Sequence, residues 1–471
     1  MDPAIRLPEE VLEMALDLLP LRDLAQCMLV SRHWLLLSRS AAHYWREVQL
    51  DAYTPKALDG FKIRMNHPSN APLKVKVTIL EIDAVASVRD IVMPLVLNKI
   101  HRIDELYLNV PVDCSTDVYH HLKTVNAPRL GALVLLFVAR PECSRAPSLP
   151  ADLLAGGAPK LATLVLHNVT LCRNWPKVFR NIENATFTFD DGDRAYIPLP
   201  EAAAFPKLLR LSIAGAFEPP QDDLYEAEHD VHVKELLGHL RDLHLTRQYS
   251  VPARFMRWQP MRRLRHVCTG DRDPKVFAAL LSHFEGDILE MELMSDEART
   301  SVLPAFRSYF ARQFKIAFSS GRPPPGVPSV ENFEERHERH FIDFREVYDS
   351  DQAPHPALID RSIHTRVTKF SATTSLWLLA VPHVPTLPNC AMINIWLERP
   401  EDVRLIIKHR IVCPKLKTIQ LISGIGENMY LKAEDTNELF LLVMKEAKLT
   451  YLKVMSHQVR YVGDSIVEPE D

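Results

Sequence analysis

The chain has 471 residues, 47% hydrophobic and 25% charged. That composition excludes bulk disorder and a fibrous protein, and the length suits about three domains or one long repeat array. With 56 Lys plus Arg against 60 Asp plus Glu, the formal net charge is −4, so no global field draws the chain to nucleic acid or to an anionic membrane.

The longest apolar run, 130–139 broken only by Gly131, is about half of what a bilayer-spanning helix needs, so no membrane span is expected. Glu9 and Glu10 stand where a secretory signal would turn apolar, and export is not expected either. Seven cysteines (Cys27, Cys114, Cys143, Cys172, Cys268, Cys390, Cys413) are widely spread and never form a C-x-x-C pair. That pattern fits reduced thiols in a cytosolic or nuclear setting. Glycine is scarce, at 14, and proline abundant, at 35. The glycine-rich phosphate loops, the G-x-S-x-G elbow and the H-E-x-x-H zinc motif are all absent from the sequence. Nothing in it calls for a cofactor, a metal or catalysis.

Leu7 to Pro20 reads as one amphipathic helix. Pro8 suits the first turn, Glu9 and Glu10 favour its positive end, and Pro20 ends it. Val11, Leu12, Ala15, Leu16 and Leu19 form its apolar stripe. A second short helix is expected from Asp23 as cap through Met28 and Leu29, and a third from Ser31 as cap through Trp34 and Leu37. So small a trio carries more apolar side chains than its own core can hide, and periodicity alone leaves two covers for the surplus, a protein partner or the rest of the chain.

Four blocks of residue types in this stretch are specific. They are Leu-Pro-x-Glu-x-Leu at 7–12, Leu19-Pro20-Leu21-x-x-Leu24, Val30-Ser31-Arg32-x-Trp34 and Tyr44-Trp45-Arg46. In order and spacing they resemble the F-box, over residues 1–50. The resemblance implies docking on a Skp-family adaptor and, through it, a cullin-RING ubiquitin ligase. It also implies that Leu7, Pro8, Val11, Leu12, Leu16, Leu19, Leu24, Val30 and Trp34 form or support the docking face. Leu35-Leu36-Leu37 departs from the family's more polar run after the tryptophan.

Farther along a phrase recurs: Pro128-Arg129-Leu130-x-x-Leu133-x-Leu135, Pro159-Lys160-Leu161-x-x-Leu164-x-Leu166, Pro206-Lys207-Leu208-x-x-Leu211-x-Ile213 and Pro414-Lys415-Leu416-x-x-Ile419-x-Leu421. Four copies mark a repeat. Proline is expected to start each strand, the fourth and sixth positions to point inward, and the basic residue to stay solvated. A relaxed form adds Ile103, Ile182, Leu240, Leu264, Ile288, Cys390 and Leu449 as first positions. From 103 to 288 the spacing averages about 26 residues, in the range of leucine-rich repeats.

The chain thus resembles F-box proteins with irregular leucine-rich repeats, abundant in fungi. The implied fold is α/β: a three-helix F-box, then a solenoid with parallel strands on its concave side and helices or loops on its convex side. The family's Asn or Cys after the sixth position is replaced by Val138, Val169, Ala216 and Gly424. Repeats are expected over 51–293 and 387–462, with an acidic tail at 463–471. The register is lost over 294–386, which reads as degenerate repeats or a helical insertion, since Leu303 to Phe314 and Val330 to Val347 look helical between proline-rich loops.

In such an array the third and fifth positions of each strand face the concave side and are the best candidates for holding a target protein. Tyr107, Arg210, His244, His266, Gln420 and Tyr451 lead this set, with Glu105, Asp242, Glu290, Glu292 and Lys453 beside them. Arg254 to His266 is basic and aromatic, but acidic surroundings argue against nucleic acid as a partner. The histidine pairs at 229–232 and 337–340 lack the further ligands a metal centre needs. The sequence therefore points to a non-catalytic substrate receptor of a Skp-cullin-F-box ligase, with a scaffold that keeps an F-box but transfers no ubiquitin as the rival.

Overall fold

A computed structural model describes residues 8–19, 21–40, 42–68, 71–138, 147–169, 177–189, 205–214, 236, 238–246, 259–270, 274–284, 289–295, 314–320, 338–343, 356–423, 428–447, 453–457 and 459–462. The chain divides into two compact units, one of 1–218 with 223–240 and one of 219–222 with 241–471. Each is mixed α/β around a mostly parallel sheet.

The first unit opens with short helices, α1 (Glu9–Asp17), α2 (Leu21–Cys27), α3 (Arg32–Ser40) and α4 (Ala42–Arg46). Helix α2 starts ahead of the expected Asp23 cap, and Asp23 instead lies in its first turn, where a carboxylate favours the helix dipole. The Ser31 cap is present: Trp34 N donates to Ser31 Oγ at 3.2 Å. Then follow β1 (Glu47–Leu50), α5 (Pro55–Met65), β2 (Leu73–Thr78), β3 (Ile103–Pro111), β4 (Ala132–Val138), β5 (Thr163–His167), β6 (Asn184–Thr188) and β7 (Arg210–Ala214). Every strand pairs parallel with the next in chain order. Alternate residues fill the core, as a period of two requires. Leu106 and Leu108, Leu133 and Leu135, Leu164 and Leu166, and Leu211 and Ile213 are each no more than 1% exposed.

The proline phrase encodes a turn and not the strand start. In all four copies the strand begins four residues after the proline. The anchor amide closes a four-residue turn onto the residue before the proline: Leu130 to Ala127 O at 3.2 Å, Leu161 to Ala158 O at 3.1 Å, Leu208 to Phe205 O at 3.2 Å and Leu416 to Cys413 O at 3.1 Å. Proline with its fixed φ suits the second position of such a turn. The amide after each anchor then reaches back to the preceding unit, as Gly131 to Asp104 O at 2.7 Å, Leu209 to Glu183 O at 2.8 Å and Lys417 to Ala391 O at 2.8 Å. The basic residue is exposed yet tied down. Arg129 pairs with Asp104 at 3.2 Å, Lys207 donates to Asn181 Oδ1 at 2.8 Å, and Lys415 donates to Asn389 Oδ1 at 2.8 Å.

Beside Val169, where the resemblance implies an asparagine, the preceding residue is one. Asn168, fully buried with φ +53°, donates from Nδ2 to Phe137 O at 2.9 Å. It thereby satisfies a strand-end carbonyl that burial would otherwise leave orphaned.

In the second unit β8 (Asp242–Thr246), β9 (His266–Thr269), β10 (Leu289–Ser295), β11 (Phe314–Ser320), β12 (Glu338–Asp343), β13 (Val367–Thr373), β14 (Met392–Leu397), β15 (Thr418–Ser423) and β17 (Lys453–His457) share a sheet. A second sheet joins β16 (Met429–Lys432) to β18 (Val459–Val462). The strand order is β8-β9-β12-β11-β10-β13-β14-β15-β17. Strands β11 and β12 run back and forth between β10 and β9, antiparallel at β10/β11 and β11/β12 and parallel at β12/β9.

This corrects the helical expectation for Val330 to Val347, because Glu338–Asp343 is a strand. Arg339 and Phe341 alternate inward there, 1% and 0% exposed, which is strand periodicity. Of the patch Leu303 to Phe314, 303–313 lie outside the described residues, and Phe314 begins β11. Within the same window β13 restores the phrase: Val367, Phe370 and Ala372 stand at its first, fourth and sixth positions and are fully buried. At β17 the register slips, since Lys453 pairs with Thr418 and Met455 with Gln420. Lys453 therefore takes the third position instead of the expected fifth.

The inserted pair is pinned by Arg339. Its guanidinium donates to Leu264 O at 3.1 Å, Arg265 O at 3.4 Å, Glu338 O at 2.8 Å, Met261 O at 3.4 Å and Arg262 O at 3.4 Å. Its Nε donates to His283 Nδ1 at 3.1 Å. Two of these carbonyls, of Met261 and Arg262, end the helix Gln259–Arg263, where intrahelical donors run out. Burial pushes the guanidinium down to about 9, still well above neutral pH. Phe341 packs edge-on against Phe277 at 4.8 Å and Phe318 at 6.0 Å.

His364, 4% exposed with no partner for Nε2, lies below its ordinary 6.5 because burial disfavours the imidazolium. The unfolded chain binds that proton more readily, so the stability His364 contributes is present above about pH 6.5 and lost as pH falls below it. The melting temperature of the full chain is expected to drop across that range. His364→Asn, which retains a donor for Leu358, should flatten the drop in a pH series of thermal melts. An unchanged profile would remove His364 from the acid response.

Candidate functional site

The N-terminal helices divide their apolar residues between two faces. Leu12 and Leu16 of α1, Leu24 of α2 and Leu37 of α3, all at most 5% exposed, form the interior cluster, with Leu19, Cys27, Trp34 and Tyr44 packed against it. On the other side of α1, Val11, Met14 and Leu18 are 46%, 70% and 86% exposed. Their three- and four-residue spacing makes a second stripe. Leu29 and Val30 after α2 and Leu36 on α3 are also largely exposed.

Leu12, Leu16 and Leu24 thus lie in the interior of the trio, where they could support an outer face but are not presented to solvent. Ala15, expected on the same stripe, is exposed. Pro8, Val11 and Val30 are exposed, Leu19 and Trp34 are half-buried, and Leu7 lies outside the described residues. Sequence reasoning missed Met14, Leu18, Leu29 and Leu36, although the spacing of 11, 14 and 18 was there to be read.

The trio is fastened to the sheet that follows. Ser40 Oγ donates to Glu13 Oε1 at 2.9 Å, linking α3 to α1. Arg64 of α5 donates to the carbonyls of Tyr44 and Glu47 and lies 4.8 Å over the Tyr44 ring. Trp45 donates from Nε1 to Arg39 O at 2.6 Å and stacks on His67 at 3.7 Å. Tyr44-Trp45-Arg46 is thus a weld to β1 and α5.

The outward sheet faces carry the other candidates. In the first unit Tyr107 shares a register row with Lys76, Val134, Val165, Thr186 and Ser212. Burial pushes its phenol up to about 12, and Lys76 Nζ sits 5.7 Å from its ring. Val134 and Val165 are 5% and 3% exposed despite facing outward, which is why β4 reads as an unbroken apolar run. Arg210 is exposed, one row away beside Asn184. Lys74 pairs with Glu105 at 2.5 Å.

In the second unit His266 is bracketed in register by Asp242 and Glu338, with Nδ1 2.6 Å from Asp242 Oδ1 and Nε2 3.5 Å from Glu338 Oε2. His244 lies in the next row beside Cys268. Farther along, Gln420 is in register with Asn394 and Ser371, two residues that sequence reasoning passed over. Tyr451 lies outside the described residues. Among the described residues no group of three metal-ligating side chains converges, and no helix is long and apolar enough to cross a membrane.

Comparison with family models matches residues 4–51 to one described as F-box-like. That span covers the helical trio and its weld to β1. No curated protein matches the chain.

Proposed function

We propose that the chain is the substrate-recognition subunit of a Skp-cullin-F-box ubiquitin ligase. Its F-box-like helices bind a Skp-family adaptor, and its sheet units form an irregular leucine-rich-repeat solenoid that holds a target protein. The observation carrying this reading is the exposed stripe of Val11, Met14 and Leu18, continued by Leu29, Val30 and Leu36 on helices whose own interior is already filled. An apolar patch of this kind on so small a unit is what a partner covers. The repeated turn, anchor and inter-unit amide bond support the solenoid reading. The chain contributes no reacting group. Holding the target beside a separately bound ubiquitin-conjugating enzyme raises the local concentration of its lysines. Such a receptor works in the cytosol or nucleus, which is the location this reading carries with it.

Co-expression of the full chain with a Skp-family adaptor and a cullin tests the reading. Recovery of the cullin only when the adaptor is present is the expected result. Recovery of adaptor without cullin would instead make the chain a scaffold.

A further inference from the structure

In the first unit the residue before each anchor stands at the edge of the sheet where its strands begin. From β4 to β7 these residues are Arg129, Lys160, Asn181 and Lys207, one per strand and so about 4.8 Å apart. The edge is strongly positive. The segments 99–104, 127–131, 158–162, 177–183 and 205–210 carry eight Lys or Arg residues against Asp104 and Glu183. By contrast 78–84 and 109–115, where β2 and β3 end, hold Glu81, Asp83 and Asp113 and no Lys or Arg. A chain of net charge −4 thus gathers positive charge on one side of this sheet.

Much of that charge is left open. Arg129 pairs with Asp104 at 3.2 Å, but Lys160, Lys177 and Arg180 are exposed and make no ion pair or side-chain hydrogen bond among the described residues. Asn181 draws the cluster together: its Nδ2 donates to Pro159 O at 2.9 Å, next to Lys160, and its Oδ1 accepts from Lys207 Nζ at 2.8 Å. A neutral amide positions the ammonium without cancelling its charge, which a carboxylate would do. The second unit repeats the device, with Lys415 Nζ on Asn389 Oδ1 at 2.8 Å and Asn389 Nδ2 on Thr365 O at 2.6 Å. Like charges held close repel one another, and an anion laid along the edge relieves that repulsion.

The spacing selects among anions. From Arg129 to Lys207 three steps span about 14 Å, the reach of about five residues of extended chain. The positive row is discontinuous: Asn181 is neutral, Asp104 shadows Arg129, and Glu183 is exposed three residues after Arg180. A nucleic-acid strand, charged at every residue, meets that neutral rung and those carboxylates. A peptide places its carboxylates at alternate positions on one side and leaves neutral residues between them.

We infer that this edge binds an extended acidic peptide segment, with its carboxylates on Lys160, Arg180 and Lys207. That the segment belongs to the target protein rests on the receptor reading, whereas its chemistry does not.

The test uses the full chain and a fluorescent peptide of about 12 alternating Glu and Thr residues, which favours an extended form. A Lys and Thr counterpart and a thymidine oligonucleotide of equal charge serve as comparisons, all read by anisotropy at low salt. The acidic peptide is expected to bind more tightly than either. Lys160→Gln with Arg180→Gln should weaken its binding about tenfold at an unchanged melting temperature, because both side chains are exposed and unpaired. Lys56→Gln with Lys62→Gln on α5 makes the same change in net charge and should leave binding as it was.

Equal affinity for the two peptides, no binding, tighter binding of the oligonucleotide, or full affinity in the Lys160 and Arg180 variant overturns the inference. Equal losses in the two double variants overturn it as well, because net charge alone would then attract the peptide. Adaptor recovery, measured on the same proteins, separates the two failures. Peptide binding with no adaptor recovery defeats the ligase reading alone, and adaptor recovery with no charge preference defeats this inference alone.

Discussion

Replacing Met14 and Leu18 by Glu is expected to abolish recovery of a Skp-family adaptor with the full chain, a loss of at least about a hundredfold in affinity, with no change in melting temperature. Both side chains are mostly in solvent, 70% and 86% exposed, so a carboxylate at either position stays hydrated in the free chain and is desolvated only when a partner closes over α1. The stability and binding effects are therefore separable.

The contrasting pair is Leu12→Asp with Leu16→Asp. Those side chains are 4% and 1% exposed at the centre of the helical cluster, and their replacement should unfold the trio and lose the adaptor indirectly. A thermal melt beside a pull-down distinguishes the two. Adaptor recovery undiminished in the Met14 and Leu18 variant would falsify the docking model.

That these residues had to be found in the structure shows where sequence periodicity stops. Val11, Leu12, Ala15, Leu16 and Leu19 read as one stripe because a helix with apolar residues on two sides offers more than one way to draw it. Only tertiary packing decides that Leu12 and Leu16 face α2 and α3 while Val11 faces solvent. The repeat was far more legible. Turn, anchor and alternating strand each impose a residue type at a fixed offset, so Leu130, Leu161, Leu208 and Leu416 were found together with their inward partners. Proline's place was misread because a turn residue and a strand-start residue both dispense with an amide donor.

The pair β11 and β12 escaped notice for another reason. Their pairing is antiparallel with each other and non-sequential with β9, so no offset in the chain announces it. Asn394 was within reach, as the fifth position after Cys390.

The second large effect concerns the residue that holds the inserted pair. Arg339→Met is expected to destabilise the second unit by about 3–5 kcal/mol. Methionine occupies much of the same space, so the loss comes from hydrogen bonds rather than from a cavity. One guanidinium serves the carbonyls of Met261, Arg262, Leu264, Arg265 and Glu338, and its removal takes a donor from each, leaving Met261 O with Leu264 N and Arg265 O with Glu338 N. Arg339→Lys should fall between, since three ammonium donors on a flexible stem cannot reproduce the planar fork.

Hydrogen exchange locates the damage. Protection should fall first along β9, β12 and the helix Gln259–Arg263, while α1 to α3 and adaptor recovery stay as in the parent chain. The opposite outcome has a definite meaning. Should Arg339→Met melt at or above the parent temperature, the cost of desolvating this cation exceeds what its carbonyl partners return. The inserted strands would then be held by their ladders to β10 and β9 and by the packing of Phe277, Phe318 and Phe341.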